Sequence, residues 1–173
     1  MSMKSVLTVA ALVAALSGAN AIYAQAPNLD AVPDKMPFDV PYGAPISLDR
    51  AEAVLNAALA ESKKRDWKLI CGVVDSGANL VSFKRQDGSQ IASIDIAIHK
   101  ARAAAKFRRE TVAFENGIQK AGLNYLMTLD DVIASRGGIP IVDGGKIIGA
   151  IGCSGGTGSQ DEVVAKAGIA AVK

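Results

Sequence analysis

The stretch "GKIIGAIGCSGGTGSQDEVVAKAG", Gly145–Gly168, decides how the fold of this chain is interpreted. It begins with a short apolar run, continues through a glycine cluster and ends in a pattern typical of a helix. "GIPIVD" (138–143) and an Asp-Gly pair come directly before it, and apolar runs that flank Asp-Gly are typical of a β-hairpin. The stretch therefore predicts a hairpin strand that leads directly into the last helix.

A strand, a glycine cluster and a helix in this order also occur in phosphate-binding proteins. Here the spacing of Ser159 and Glu162 predicts a capping box, and Asp161 adds a carboxylate beside the same backbone N–H groups. Neither G-x-x-x-x-G-K-[ST] nor a helix-opening G-x-G-x-x-G is present. We therefore expect the helix terminus to be occupied by the protein's own acids and not by a phosphate.

The glycines instead indicate that another part of the protein or a ligand packs closely against the backbone. Gly137 and Gly138 stand at the entry to the first strand of the hairpin, and Gly155 and Gly156 follow the hairpin. Together they predict a flat wall without side chains. Such a wall suits a packed helix, a neighbouring subunit or a planar ligand.

The remaining segments complete the fold prediction. A helix capped by Ser47 precedes "KLICGVVD", the turn "DSGAN" (75–79) and "LVSFKR", which together predict a second hairpin. A helix over "SQIASIDIAIHKARAAAKF" follows, then one from Thr111 to Gly122, and then irregular turns. The order predicts an α+β fold in which a single antiparallel β-sheet of four to five strands is packed with helices in a profilin-like layer arrangement.

The N-terminal part of the chain resembles a targeting segment followed by an arm. Residues 1–24 combine Lys4, a short alanine-rich apolar run and A-x-A-like sites, which predicts a cleaved signal peptide and a periplasmic or secreted protein. Residues 25–45 are proline-rich and predict an extended arm that is disordered or packs on another surface. Residues 46–173 are predicted to form one domain.

Charge limits the partners of this domain. The formal net charge is +2, and removal of residues 1–24 lowers it by one. This balance predicts neither nucleic-acid binding nor stable membrane insertion after signal cleavage. The strongest local excess of positive charge comprises Lys100, Arg102, Lys106, Arg108 and Arg109. This cluster could bind an acidic ligand, or it could simply form a solvated helix face.

The two cysteines, Cys71 and Cys153, lie in apolar strand-like runs. Their spacing matches neither a zinc knuckle nor a C-x-x-C motif. Export permits a disulfide between them, but two separately buried thiols fit the sequence as well.

The single histidine narrows the possible chemistry. His99 lies on a polar stripe of the second helix with Asp95, Arg102 and Lys106, and no G-x-S-x-G nucleophile accompanies it. One imidazole is too few for a zinc site built from several histidines, but it suffices as the axial ligand of haem iron. His99 is therefore a candidate haem ligand, with nearby cations as candidate partners of the propionates.

Four ordered motifs resemble the GlcG/HbpS-type family of haem-binding proteins, which is related to the C-terminal domain of PduO. They are "GVVDSGANLVSFKRQDG", "IAIHKARAAAKF" followed by Thr111, "GGIPIV" and "GKIIGAIGCSGGTGSQDE". The resemblance covers about residues 46–173 and implies a central antiparallel sheet, homo-oligomeric assembly and, in some members, haem binding. Thr111 matches a threonine associated with the family's haem site, while Glu110 stands where a proline is usual.

The first reading is a noncatalytic, exported protein that stores, relays or senses haem. In this reading His99 or Thr111 approaches the iron, Arg102, Arg109 or Lys100 binds the propionates, and the glycine turns form the wall. A second reading is an enzyme or auxiliary protein for an organic acid, with Asp95, Lys100 and Arg102 in its cleft. A third is a structural module that only builds a homo-oligomer.

Overall fold

The computed structural model describes residues 30–172. The predicted signal peptide (1–24) and the first residues of the predicted arm lie outside the described residues. The order of the elements is helix, hairpin, two helices with a short 3-10 helix, hairpin and helix: α1 (Leu48–Lys64), β1 (Ile70–Asp75), β2 (Leu80–Arg85), α2 (Ser93–Lys106), α3 (Val112–Gln119), the 3-10 helix (Asn124–Thr128), β3 (Gly138–Asp143), β4 (Lys146–Ser154) and α4 (Gly158–Ala170).

The two hairpins join through their inner strands into one sheet. The strand order is β2-β1-β4-β3, and every neighbouring pair is antiparallel. The prediction of an α+β fold with a single four- to five-stranded antiparallel sheet is confirmed. Within residues 30–172, none of the helices combines the length and the apolar character needed to span a bilayer.

Residues of β4 alternate between the two faces of the sheet. Ile151 and Cys153 belong to the main core with α1 and α4, whereas Ala150 packs with alanines of α2 on the other side. Glycine lets α2 approach the sheet closely: a Cβ added at Gly152 would lie 2.0 Å from the carbonyl oxygen of Ala97. The group that packs against Gly152 is therefore a helix, which is one of the three possibilities that the sequence left open for the glycines of this hairpin.

Cys71 and Cys153 form a disulfide between the two central strands. They are directly opposite each other in the antiparallel pairing of β1 and β4, and both are completely buried. Antiparallel pairing brings their Cα atoms to 4.2 Å although 82 positions separate them in sequence. This pairing settles the alternative that the spacing alone left open.

Helix ends differ in how well the sequence predicts them. Ser47 accepts a hydrogen bond from the backbone N–H of Arg50, as expected for a cap of α1. The predicted capping box of Ser159 and Glu162 is wrong, because the box is formed by Thr157 and Gln160. Thr157 has the extended backbone that a capping residue needs, whereas Ser159 already lies inside α4.

The third helix ends earlier than predicted and lacks its predicted cap. It stops at Gln119, three residues before Gly122, and no hydrogen bond from the Thr111 side chain caps it. The Thr111 hydroxyl instead forms hydrogen bonds with Ser135 and Gly138.

Residues 38–43 of the arm lie on the protein's own domain. Tyr42 pairs with Ile147 in an isolated parallel bridge, so the arm continues the sheet beside the first residues of β4, beyond the end of β1. The Tyr42 hydroxyl lies 3.0 Å from the carbonyl oxygen of Ala105 and 2.9 Å from that of Lys106, and it donates at the C-terminal end of α2. The arm therefore links the sheet to the helix that carries His99.

Candidate functional site

An open depression of about 530 Å³ lies along the polar stripe of α2. Two of the predicted haem-site residues, His99 and Arg102, line it together. The rest of the lining consists of Asp95 of the same stripe, the isoleucines Ile96 and Ile98, and Asp131 from the loop before β3. The successive steps along the stripe keep these polar groups on one side of the helix. The depression has the size and the mixed lining of a small-molecule site.

His99 and Arg102 are available to a ligand in this depression. His99 is half-buried and Arg102 is exposed. Among residues 30–172, neither side chain has a hydrogen-bond or ion-pair partner. An imidazole with two unengaged ring nitrogens can donate a lone pair to a metal, and an unpaired guanidinium can bind a carboxylate.

Asp131 is a lining residue that sequence reasoning missed. It forms an ion pair with Lys106, which ties the loop before β3 to the end of the α2 stripe. Asp131 lies in a segment without helical or strand periodicity, so its position gave no motif. The acidic pair Asp130–Asp131 in that segment was the only available signal.

The structure separates Lys100 from the depression. Its ammonium is buried and lies 2.7 Å from Asp161 Oδ2 and 3.2 Å from the carbonyl oxygen of Cys153. One helical position turns a side chain by about 100°, so Lys100 points away from the face that carries His99. Burial raises the pKa of the Asp161 carboxyl, and the positive charge of Lys100 opposes part of that rise.

Arg109 also lies outside the depression, under the arm. Its guanidinium carbon lies 3.4 Å from the ring centroid of Phe38 and 5.4 Å from that of Phe114, and its Nε donates to the Phe107 carbonyl at 3.0 Å. Burial lowers the pKa of Arg109. The neighbouring Arg108 contacts the arm as well, 3.7 Å from a carboxylate oxygen of Asp39.

The Thr111 hydroxyl links two segments of the chain by hydrogen bonds. The hydroxyl donates to the carbonyl of Ser135 at 2.7 Å and accepts the backbone N–H of Gly138 at 3.0 Å. Thr111 is completely buried. Its one donor and one acceptor interaction join the turn before α3 to the start of β3.

The predicted glycine wall lies inside the fold and not along the depression. A Cβ at Gly138 would lie 2.3 Å from the Lys100 carbonyl oxygen, so α2 covers this residue. Gly137 accepts the backbone N–H of Cys153 at 2.9 Å. Gly155 and Gly156 form the turn into α4, where the backbone N–H of Gly156 donates to Asp161 Oδ1 at 3.0 Å.

A second ion cluster lies between α3, β3 and α4. Arg136 is 2.7 Å from Glu115 Oε1 and 3.3 Å from Glu162 Oε2. The hydrogen bond from Arg136 holds the pKa of Glu115 below its ordinary value. No three potential metal ligands of the types His, Cys, Asp and Glu come together within the described residues.

The fold and this site define a small α+β protein with one layered sheet and an open polar depression beside its central helix. The family model described as "Haem degrading protein HbpS-like" matches residues 46–170. The chain therefore belongs to the HbpS-like family.

Individual relatives agree with this assignment. Protein GlcG of Escherichia coli K12 is 37% identical over 109 residues, which cover 63% of this chain and 81% of that protein. A crystal structure of a double mutant of Streptomyces reticuli HbpS has a TM-score of 0.71 at 25% identity, covering 85% of this chain and 99% of the other. The crystal structure of PduOC in complex with haem has a TM-score of 0.67 at 22% identity, with 74% and 95% covered, and shares the fold.

Proposed function

We propose that this protein binds haem, with His99 as the axial ligand, and that it stores or relays the haem without degrading it. The observation that carries the proposal is the half-buried imidazole of His99, which lines a depression of about 530 Å³ and has no partner among residues 30–172. The description of the family and the haem complex of PduOC support haem as the ligand.

The neighbouring side chains suit the other parts of haem. Arg102 offers an unpaired guanidinium for a propionate, and Ile96 and Ile98 offer apolar contact for the macrocycle. His99 would hold haem through its imidazole, and the haem would supply an iron centre. This chain's own contribution is to place the imidazole and the guanidinium on the same stripe of α2.

The other predicted ligands fit this role less well. The hydroxyl of Thr111 is buried and engaged, and the ammonium of Lys100 is paired inside the core. Arg109 becomes available to a propionate only if Phe38 of the arm moves away. We therefore assign the iron to His99 and a propionate to Arg102.

Haemin titration of the mature chain (25–173) tests this proposal. We expect a saturable Soret shift in the wild type, loss of that shift in His99→Gln and its partial recovery when free imidazole is added. Lys120→Gln, an exposed change at the end of α3, is the matched control and should bind as the wild type does. A His99→Gln protein with the wild-type Soret position would overturn the assignment of His99.

Degradation is the second candidate function, because the family description names it. The loaded wild type distinguishes the two when ascorbate and oxygen are supplied. Storage predicts a Soret band that persists, whereas degradation predicts its decay together with release of iron. Decay that depends on the protein would replace storage by degradation and leave the binding proposal intact.

We also propose that the protein works outside the cytoplasm. The signal-like residues 1–24 support export, and so does a disulfide between the central strands, because disulfides persist in oxidising compartments. Fractionation of cells that express the full chain, with mass spectrometry of the N-terminus, should find protein that begins near Gln25 in an extracytoplasmic fraction. Unprocessed protein in the cytoplasm would contradict this proposal.

Homo-oligomerisation is a further part of the proposal. Large apolar side chains are exposed at Ile91 (75%), Met127 (65%) and Tyr125 (55%), which is consistent with surface that a second copy covers. Light scattering coupled to size exclusion, with and without haemin, measures the number of copies directly. A monomer under both conditions would refute this part.

A further inference from the structure

A second cleft, of about 520 Å³, lies between the end of α1 and the end of β2. It is separate from the His99 depression, because α1 packs on one face of the sheet and α2 on the other. Four basic and two acidic side chains line it together with three uncharged ones: Lys63, Lys68, Lys84, Arg85, Asp66, Asp87, Leu59, Trp67 and Gln86.

The lining of this cleft carries a net charge of +2, because four basic side chains stand against two carboxylates. Lys84 is held by Glu52 at 2.8 Å and by Asn56 at 2.7 Å. By contrast, Lys63, Lys68 and Arg85 have no carboxylate within 4.0 Å among the described residues. These three cations outnumber the two carboxylates of the lining, so the concave surface favours an anionic ligand over a neutral one.

Gln86 provides a fixed hydrogen-bond donor in the same cleft. Its Oε1 accepts from the Ser62 hydroxyl and from the backbone N–H of Leu69, both at 2.7 Å. These two donors orient the amide, because the oxygen and not the nitrogen must face them. The amide nitrogen has no acceptor among residues 30–172, although the residue lines the cleft. The amide N–H₂ is therefore the part of Gln86 that remains for a ligand.

We infer that this cleft binds a small polyanion, a di- or tricarboxylate or a phosphate compound, through Lys63, Lys68, Arg85 and the amide nitrogen of Gln86. Hydrogen bonds from cations to carboxylate or phosphate oxygens are the strong ones in proteins. Asp66 and Asp87 repel further negative charge, so the site selects compact anions over extended polyanionic surfaces. An anion site here is independent of the haem proposal, because it shares no lining residue with the His99 depression.

Titration calorimetry of the mature chain (25–173) with citrate and with pyrophosphate tests the inference. We expect saturable binding of at least one probe that weakens as salt is raised. Whichever probe binds more tightly distinguishes a carboxylate ligand from a phosphate ligand. The neutral triethyl ester of citrate should not bind.

Gln86→Glu is the most informative variant, because it keeps an oxygen for Ser62 and Leu69 but replaces the free donor by a negative charge. We expect it to weaken binding by about tenfold or more. The double variant Lys68→Gln/Arg85→Gln should weaken it at least as much, and it carries the test if Gln86→Glu does not fold. Lys120→Gln removes one exposed charge elsewhere and should leave the affinity within about twofold.

Three results would overturn the inference. They are the absence of saturable binding of both probes, equal binding by wild type and by the cleft variants, and an equal loss of binding in Lys120→Gln. His99→Gln separates this site from the haem site, since it should lose the Soret shift and keep anion binding. Retained anion binding in a protein that fails to bind haem would refute the proposed function alone.

Discussion

Loss of the Cys71–Cys153 disulfide should remove a large part of the stability of this domain. The bond closes a loop with a sequence separation of 82 residues, and both cysteines are completely buried. Cross-linking a loop of that length lowers the entropy of the unfolded chain enough to contribute about 4.5 kcal/mol to the free energy of unfolding at 25 °C. Small domains have a total of about 5–15 kcal/mol, so the reduced protein should be only marginally stable.

Urea denaturation of oxidised and reduced wild type measures this contribution. The reduced form is prepared by unfolding in dithiothreitol and refolding in its presence, so both samples have the same side chains. Cys71→Ala/Cys153→Ala is the control, and dithiothreitol should not change its unfolding curve. The accessible quantity is the difference in the free energy of unfolding, extrapolated to zero urea.

Burial of the two cysteines adds a kinetic expectation. Dithiothreitol should leave the disulfide intact in folded protein and reduce it once urea unfolds the chain, as counted by alkylation and mass spectrometry. A difference below about 1 kcal/mol between oxidised and reduced protein would refute the loop-closure reasoning. Rapid reduction in the native state would refute the inference drawn from burial.

Two ion pairs give further predictions. Lys100→Met leaves Asp161 buried without its cation and should lower the free energy of unfolding by about 3–5 kcal/mol, measured in urea. Adding Asp161→Asn should recover much of this loss, and equal stability of Lys100→Met and wild type would contradict the prediction. For Glu115, the lowered pKa means that its stabilisation by Arg136 is present above the ordinary value of 4.5 and is lost as pH falls through the lower folded value. The Tm difference between wild type and Glu115→Gln should therefore shrink in acid, and a pH-independent difference would argue against this linkage.

Local patterns predicted the elements of this fold well, because each depends on residues that are close in sequence. Strand-like runs on either side of the turns at 75–79 and Asp143–Gly144 were enough for the two hairpins, and Ser47 was enough for the start of α1. The prediction for the start of α4 was wrong because "GTGSQDE" contains two overlapping capping-box patterns, one that begins at Thr157 and one that begins at Ser159. Only the extended backbone at Thr157 distinguishes them.

The candidate site was predicted in part for the same reason. The polar stripe correctly brought His99 and Arg102 to one side of α2, since helical periodicity is a local property. Lys100 was grouped with them by sequence proximity, although its helical angle already differed from theirs. No local pattern shows that Arg109 lies outside the depression, because the ring that packs on its guanidinium belongs to Phe38, 71 positions earlier in the sequence.

The amino-acid sequence by itself determined the order of helices and strands and the two hairpins. It did so because backbone preference and side-chain periodicity act over a few residues. Only the tertiary structure decided whether Cys71 and Cys153 pair, which lysine is buried with Asp161 and which cations stay unpaired around Gln86. These choices depend on distances between elements far apart in the chain, and strand pairing and packing set those distances.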